Sequence, residues 1–265
     1  MEKTHVQRFW RSVGMQRYGV EHWQELGSTN DRARELLAEL PMPVLVTAAH
    51  QHRGRGRYGR AWMDIPGNAL LMTVGFPAGW IGDSRAPLVV LAAAATTVLD
   101  TLAEYAPAEQ LALKYPNDVW VKPRNAPPGK VGGMLIETDY TGGQAGSVLV
   151  GIGINLAGLP NVPDSPYPVR SLAEVATKPL PPAEHLAERL TERILERLMS
   201  REYAPIVAAW KNALRVVGRV VLLRPNRQQV RIVGFDADGS LRALSSDGAT
   251  LLVRDSTSLL YDPFA

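Results

Sequence analysis

Four arginines and three glycines share one octapeptide, Arg53-Gly54-Arg55-Gly56-Arg57-Tyr58-Gly59-Arg60. Glycine lets the backbone come close to a ligand, and arginine presents a planar fork of donors that matches phosphate or carboxylate. The chemistry this segment offers is anion binding. The net charge is +3, from 29 basic and 26 acidic residues, and without these four arginines the acidic residues outnumber the basic ones. The positive excess is therefore local, which points to a focused anion site and away from a field spread over the whole surface. Gly54, Gly56 and Gly59 also satisfy G-x-G-x-x-G. That pattern binds dinucleotides only where a helix opens after the third glycine, and here Ala61-Trp62-Met63-Asp64-Ile65-Pro66-Gly67 follows. A dinucleotide fold is excluded. An arginine–glycine tail of the disordered kind is repetitive, whereas this segment is single and flanked by apolar runs.

Other segments carry weaker signals of the same kind. Gly129-Lys130-Val131-Gly132-Gly133 sets a lysine beside glycines at the entrance of an apolar strand. It is not a phosphate-binding P-loop, because Arg124 and Val131 stand where Gly and Ser/Thr are required. It suits a point charge held near a ligand, and equally a surface turn. Lys114-Tyr115-Pro116-Asn117-Asp118 puts an amide and a carboxylate on a turn, and an Asx turn would explain it alone. Gly151-Ile152-Gly153-Ile154-Asn155 alternates glycine with isoleucine. Glycine weakens a strand, so either a ligand or another backbone comes close there. His50 and His52 are half of a metal site with no third ligand spaced to join them.

The elements that must hold these residues can be read coarsely. Ser28-Thr29-Asn30-Asp31 offers N-cap chemistry for a helix bearing Ala33, Leu36, Leu37 and Leu40, ended by Pro41 and Pro43. Strands are expected at Val44–Ala48, Ala69–Phe76, Leu111–Lys114, Asp118–Lys122, Gly132–Tyr140 and Ser147–Leu156. Leu88–Tyr105 reads as an alanine-rich buried helix, and Ala183–Val217 as a charge-rich helical stretch. From Gly218 the pattern changes to short strands with turns at Asp238-Gly239 and Asp247-Gly248, which reads as a compact β-barrel. The body before it is α+β. Among 265 residues there is no cysteine, which excludes disulfides, thiolate zinc sites and thiol nucleophiles. No G-x-S-x-G occurs. Met1–Arg11 has no apolar core of signal-peptide type, and the longest apolar run, Ala86–Leu99, falls short of the ~20 residues of a membrane span. These features read as a soluble, cytoplasmic protein.

Taken in order, Ser28–Asp31, Gln51 with Gly54–Arg60 and Trp62, Lys114–Asp118, Gly129–Gly133 with Leu135-Ile136-Glu137, and Gly151–Asn155 resemble the biotin protein ligase family. The resemblance spans about residues 20 to 160, and more loosely the tail. It implies a mixed-sheet α+β catalytic domain of the biotin/lipoate ligase type over 20–217, after a short N-terminal lead-in at 1–19, and a small SH3-like β-barrel at 218–265. It implies a ligase that activates biotin with MgATP to biotinyl-5′-AMP and then acylates a lysine of a biotin carboxyl carrier domain. Biotin would be held by Ser28, Thr29, Asn30, Gln51, Gly54, Arg55, Gly56, Arg57, Lys130, Gly133 and Gly151. The nucleotide would be held by Arg57, Arg60, Trp62, Asn117, Lys130 and Asn155. Lys130, Arg55 and Arg57 would be catalytic, and the backbone amides of Arg55 to Arg57 would take the biotin carboxylate. Mg²⁺ would ride on the triphosphate, with no protein metal site.

These assignments make physical sense. The first step joins two anions, whose repulsion cations must offset. Four arginines repel one another without an anion, so the loop is expected to be mobile when empty and to order over the adenylate. The chain also departs from the family. Tyr115 stands where the family usually has Trp, a change an apolar packing position tolerates. His50 replaces a usual acid and Arg53 a small residue. Lys122–Gly129, with three prolines, lengthens the loop before Lys130. Ser256-Thr257-Ser258-Leu259-Leu260 is only a loose match to the family's tail. With 27 residues before Ser28 there is no room for a winged-helix DNA-binding domain, so a ligase without repressor function is expected, with no DNA or membrane partner. A homodimer through a sheet edge is compatible with the family. The rival readings are a lipoate ligase of the same superfamily and a nucleic-acid module stacking bases on Tyr58 and Trp62.

Overall fold

Apolar runs bounded by glycine and proline pair into one large sheet. The computed structural model describes residues 6–141, 144–163, 165–224, 226–254 and 259–265. Eight strands lie in the order β1 (Val6–Val13), β2 (Gln16–Leu26), β3 (Val44–Gln51), β4 (Ala69–Phe76), β8 (Gln144–Asn155), β7 (Gly129–Thr141), β6 (Asp118–Val121) and β5 (Leu111–Lys114). All neighbours are antiparallel except β2 and β3. A parallel pair needs a crossover, and helix α1 (Thr29–Glu39) supplies it. Central strand β4 is buried at every position, as a strand covered on both faces must be.

The two faces are covered differently. On one, Ala33 and Leu36 of α1 pack with Val44, Val46 and Leu149. On the other, alternate residues Leu45, Val148 and Val150 join the main core beneath α2 (Ala86–Leu102) and α3 (Ala183–Met199). Helix α4 (Tyr203–Ala213) packs on α2. Ala92 to Ala95 of α2 are fully buried, because small side chains let helix and sheet approach closely. This is the mixed-sheet α+β body.

Three sequence expectations change. Where the sequence reads as a polar lead-in, residues 6–19 are strands β1 and β2 of an antiparallel hairpin at the sheet edge. An edge strand such as β1, exposed along most of its length, leaves little alternation to read. The helical stretch from Ala183 divides in two, and Arg201, with φ of +57°, sits in the break. The tail forms strands β9 (Val220–Leu223), β10 (Gln228–Phe235), β11 (Leu241–Ser245), β12 (Thr250–Val253) and β13 (Leu259–Leu260), in the order β12-β11-β10-β9-β13. Among the described residues no β12–β13 pairing closes this sheet, so it is open and not a closed barrel. Two-residue β13 pairs with β9 alone. Ser256, Thr257 and Ser258 lie outside the described residues. Among the described residues, no helix is long and apolar enough to cross a membrane.

The tail docks on the body through Tyr115, which is buried and is not simply an apolar packing residue. Its hydroxyl lies 3.2 Å from the carbonyl oxygens of both Gly239 and Val253, and its N–H donates to the Tyr261 hydroxyl at 2.9 Å. Trp210 of α4 donates from its indole to the Pro116 carbonyl at 3.1 Å. Replacing Tyr115 by Phe should remove the carbonyl bonds, keep the packing and lower stability by about 1 kcal/mol. Urea unfolding measures this; an unchanged midpoint would show that the hydroxyl does not hold the tail.

Candidate active site

The face that carries α1 is left open beyond the helix's first turn, and a cleft of about 580 Å³ fills the gap. Its floor is glycine because nothing larger fits. Gly133 and Gly153 are direct cross-strand partners, and Gly151 lies two residues further along β8, in register with Thr73 and Leu135. A Cβ on Gly151 would run into the Asn30 amide, and one on Gly153 would lie 2.6 Å from the Trp62 indole. The alternation of glycine with isoleucine thus serves both readings of the strand: the isoleucines face the core and the glycines face the cleft.

The helix start forms one end of the cleft. Ser28 is the N-cap by position, but its side chain does not cap. Gln51 does that work from β3: its Oε1 accepts from the Thr29 N–H at 2.8 Å and the Thr29 hydroxyl at 3.1 Å. The Thr73 hydroxyl lies 2.6 Å from Asn30 Oδ1. Asn30 Nδ2 is left buried without a partner, and so is the Trp62 indole N–H. Unpaired buried donors are costly, so both are poised for a ligand's acceptors.

Lys130 is aimed by a bulge. Val119 pairs with Gly132 but Trp120 pairs with Lys130, so Val131 is an extra residue in β7. An extra residue changes which face the following side chains take. The Lys130 chain therefore passes over Gly133, where a Cβ would meet its Cε and Nζ at 3.2 Å. Its Nζ reaches Asp118 Oδ1 at 2.7 Å. The lengthened proline loop does not loosen this arrangement. Lys130 N–H donates to the Pro168 carbonyl at 2.9 Å, Arg170 N–H to the Lys130 carbonyl at 2.8 Å, and Arg170 Nε to the Pro127 carbonyl at 3.0 Å.

The arginine–glycine loop is a short hairpin arching over the cleft. Arg55 bridges to Ala61, Gly56 N–H donates to the Arg60 carbonyl at 2.7 Å, and Trp62 N–H to the Gly54 carbonyl at 2.9 Å. Arg57 reaches Asn117 Oδ1 at 3.3 Å and the Arg254 carbonyl of the tail at 3.2 Å. Arg60 is exposed at the rim. Arg55 is not a free donor: it is bidentate on Asp31, at 2.7 and 2.8 Å. Two amides expected to orient a nucleotide also hold structure. Asn117 donates to the Met134 carbonyl at 2.5 Å, and Asn155 to the Arg170 carbonyl at 3.0 Å.

The structure thus gathers fourteen of the expected residues, Ser28, Thr29, Asn30, Gln51, Arg55, Gly56, Arg57, Arg60, Trp62, Asn117, Lys130, Gly133, Gly151 and Asn155, around one cleft. Gly54 supports it from behind; a Cβ there would lie 2.9 Å from the Trp62 carbonyl. His50 and His52 stand apart, bonded to Asp64 at 2.8 Å and Glu25 at 3.2 Å. Among the described residues no group of three carboxylate or imidazole side chains is arranged to hold a metal.

A cleft with a glycine floor, a donor-lined end and a cationic rim is the arrangement of an acid-activating ligase. The chain belongs to the biotin/lipoate A/B protein ligase family, whose model matches residues 23–155. It is 33% identical over 229 residues to the biotin–[acetyl-CoA-carboxylase] ligase of Paracoccus denitrificans, covering 81% of this chain and 89% of that protein. It is 31% identical over 137 residues to the bifunctional ligase/repressor BirA of Escherichia coli, covering 50% of this chain and 39% of that one. Its fold is similar to the Aquifex aeolicus biotin protein ligase solved with biotin and ATP, at a TM-score of 0.64 and 22% identity, covering 91% and 97% of the two chains.

Sequence reasoning missed several residues. Asp118 was visible only as part of a turn, and its bond to Lys130 needs the β6–β7 register. Tyr167, Val162 and Pro163 come from a connection with no periodicity, and Arg224 comes from the tail. Lys114 was missed most completely. It is fully buried, with its Nζ unpaired by hydrogen bonds and 3.5 Å from the Tyr167 ring centroid, 4.7 Å from Trp120 and 5.4 Å from Tyr261. Burial pushes its ammonium down to about 7, with the nearby Lys130 and Arg224 charges adding to the effect and Asp118 opposing it. The unfolded chain binds the proton more tightly, so Lys114 removes stability as pH falls from its ordinary value of about 10.5 to about 7, and no more below that. Lys114→Met should therefore raise Tm at pH 7 and below, with the gain shrinking toward zero as pH approaches about 10.5. Thermal melts across that range check this; a gain independent of pH would refute it.

Proposed function

We propose that this chain is an ATP-dependent biotin protein ligase that forms biotinyl-5′-AMP and passes the biotinyl group to a lysine of a biotin carboxyl carrier domain. The observation that carries the reading is the convergence of Lys130 and Arg57 over a glycine floor that ends in the unpaired amide nitrogen of Asn30. Biotin has a flat ureido ring system at one end and a carboxylate at the other. The glycine floor suits the rings, and Ser28, Thr29, Asn30 and Gln51 supply hydroxyl and amide partners for the ureido group. Buried polar partners of this kind reject an acid that leaves them unpaired. The carboxylate then lies toward the amides of Arg55 to Arg57 and toward Lys130.

A carboxylate oxygen attacks the α-phosphorus and pyrophosphate leaves. The ammonium of Lys130 touches both anions as they meet, and Arg57 takes charge developing on the phosphoryl oxygens. Arg60 and Trp62 lie along the nucleotide, with Asn117 and Asn155 shaping its bed. Mg²⁺ would arrive on the ATP phosphates and neutralise part of their charge. In the second step the carrier's lysine amine attacks the acyl carbon and AMP leaves, so the enzyme needs no nucleophile of its own. We read residues 218–265 as a small SH3-like module that borders the nucleotide end, since Arg224 lines the cleft and the Arg254 carbonyl meets Arg57. The use of ATP and of a carrier domain fits a cytoplasmic location.

Pyrophosphate release from MgATP, with biotin, lipoate or octanoate offered separately, tests the reading. Release with biotin alone is expected; release with lipoate alone would move the substrate to the other branch of the family. Lys130→Ala should lower the adenylation rate by about 10²–10³-fold with the fold intact by circular dichroism. Gly151→Ala should raise KM for biotin about tenfold and leave KM for ATP near its wild-type value, because the added methyl displaces the Asn30 amide. Equal effects on both KM values would place biotin elsewhere in the cleft.

A further inference from the structure

We infer that Arg55, Asp31 and Glu137 form an ionic clasp that positions the anion-binding loop, and that Arg55 is a positioning residue while Arg57 is the loop's anion-binding side chain. The inference rests on the site reading above and divides the labour among arginines that sequence treats alike.

The partners of the two side chains differ in kind. Both terminal nitrogens of Arg55 are spent on Asp31, at 2.8 and 2.7 Å, and one also reaches Glu137 at 3.3 Å. Arg34 completes a square: it lies 2.9 Å from Glu137 and 3.5 Å from Asp31. Two guanidinium groups and two carboxylates alternate around it, so the square is neutral as a whole. Its corners come from three elements. Asp31 and Arg34 are on α1, Glu137 is on β7, and Arg55 is on the loop. The hydrogen bonds from Arg55, with its charge and that of Arg34, hold the Asp31 carboxyl below its usual range.

This arrangement leaves Arg55 little to offer a substrate anion. Its end-on fork is taken by Asp31, and Nη2, which its side-on edge would need, is shared with Glu137. Releasing Arg55 would leave the paired carboxylates of Asp31 and Glu137 beside an incoming anion, with Arg34 and the more distant charge of Arg53 to balance them. Arg57 is in the opposite condition. Among the described residues its acceptors are neutral: the Asn117 amide, the Tyr58 hydroxyl at 3.2 Å and the Arg254 carbonyl. Among the described residues no carboxylate pairs with it, and these bonds are long, so a phosphate can displace them. Meanwhile the backbone of Arg55 is bridged to Ala61. Side chain and main chain together therefore pin the stem of the hairpin, while its tip, with Arg57, stays outside the square.

The test is a double-mutant cycle of Arg55→Gln and Asp31→Asn, read in two ways. Hydrogen exchange of the amides of 54–62 is followed in the substrate-free protein, and KM for biotin and for ATP and kcat are followed by pyrophosphate release. The clasp predicts that each single variant speeds exchange at the loop stem and raises KM for biotin, each about tenfold, and that the double variant is no worse than either single one. Arg55→Lys, which keeps the charge but loses the fork, should recover only part of the loss. The inference is overturned if Asp31→Asn leaves both readouts at wild-type values while Arg55→Gln loses activity, or if the two effects add. If the wild-type protein releases no pyrophosphate with biotin, the proposed function fails, and the exchange measurement still decides the clasp.

Discussion

In the reaction we propose, an ammonium group must be held where two anions meet, and the cleft is built to meet that requirement. Lys130 satisfies it because β7 carries one residue too many. Val131 takes up a place in the strand without a partner across β6, and the bulge turns Lys130 onto the cleft face beside Gly133. Asp118 then receives its Nζ at 2.7 Å. The bond to a carboxylate keeps the lysine extended along the floor, and the hydrogen bonds of 168–170 keep the strand itself from drifting.

The glycine floor follows from the same constraint. A sheet with ordinary side chains on this face would have no room for a flat ligand between α1 and the Lys130 chain. Gly133, Gly151 and Gly153 share one patch of β7 and β8; a Cβ at Gly151 or Gly153 would collide with Asn30 or Trp62, and one at Gly133 would crowd the end of Lys130. The loss of strand stability that glycine brings is tolerated because β8 lies at the centre of the sheet, between β4 and β7, with its opposite face buried in the main core. The rim is built on opposite logic. Positive charges that would repel one another are divided, so that Arg55 is neutralised within the clasp we infer while Arg57 retains its charge. Lys114, next to Asp118, is kept in an aromatic enclosure that depresses its affinity for a proton. The cleft and its surroundings therefore hold several basic residues without concentrating all of their charge at one point.

The tail takes part in this arrangement. Its strands are short and their sheet is open among the described residues, yet it is bonded to the body through Tyr115, Tyr167 and Tyr261. Those three residues surround the β5–β6 turn that carries Asn117 and Asp118. A movement of the tail would therefore be felt at the end of the cleft that we assign to the nucleotide, where Arg224 lines it and the Arg254 carbonyl meets Arg57.

Residue type and order were enough to mark the family and to name residues that the fold gathers around one cleft. The spacing of Ser28–Asn30, Gly54–Trp62, Lys114–Asp118, Gly129–Gly133 and Gly151–Asn155 marks the family, and local preferences locate α1, α2 and the central strands, because each is set by neighbours within a few residues. Tertiary structure decided what those preferences cannot reach. The hairpin of β1 and β2 escaped because β1 buries little on either face. Asp118 and Lys114 acquired their importance from register, since a carboxylate five strands from the chain's first strand meets Lys130 only once β6 and β7 pair around a bulge. The unlike conditions of Arg55 and Arg57 came from what lies opposite each, α1 and β7 in one case and neutral acceptors in the other. Sequence specifies which chemical groups are present; their charge, reach and freedom depend on partners brought together from distant parts of the chain, and only folding chooses those partners.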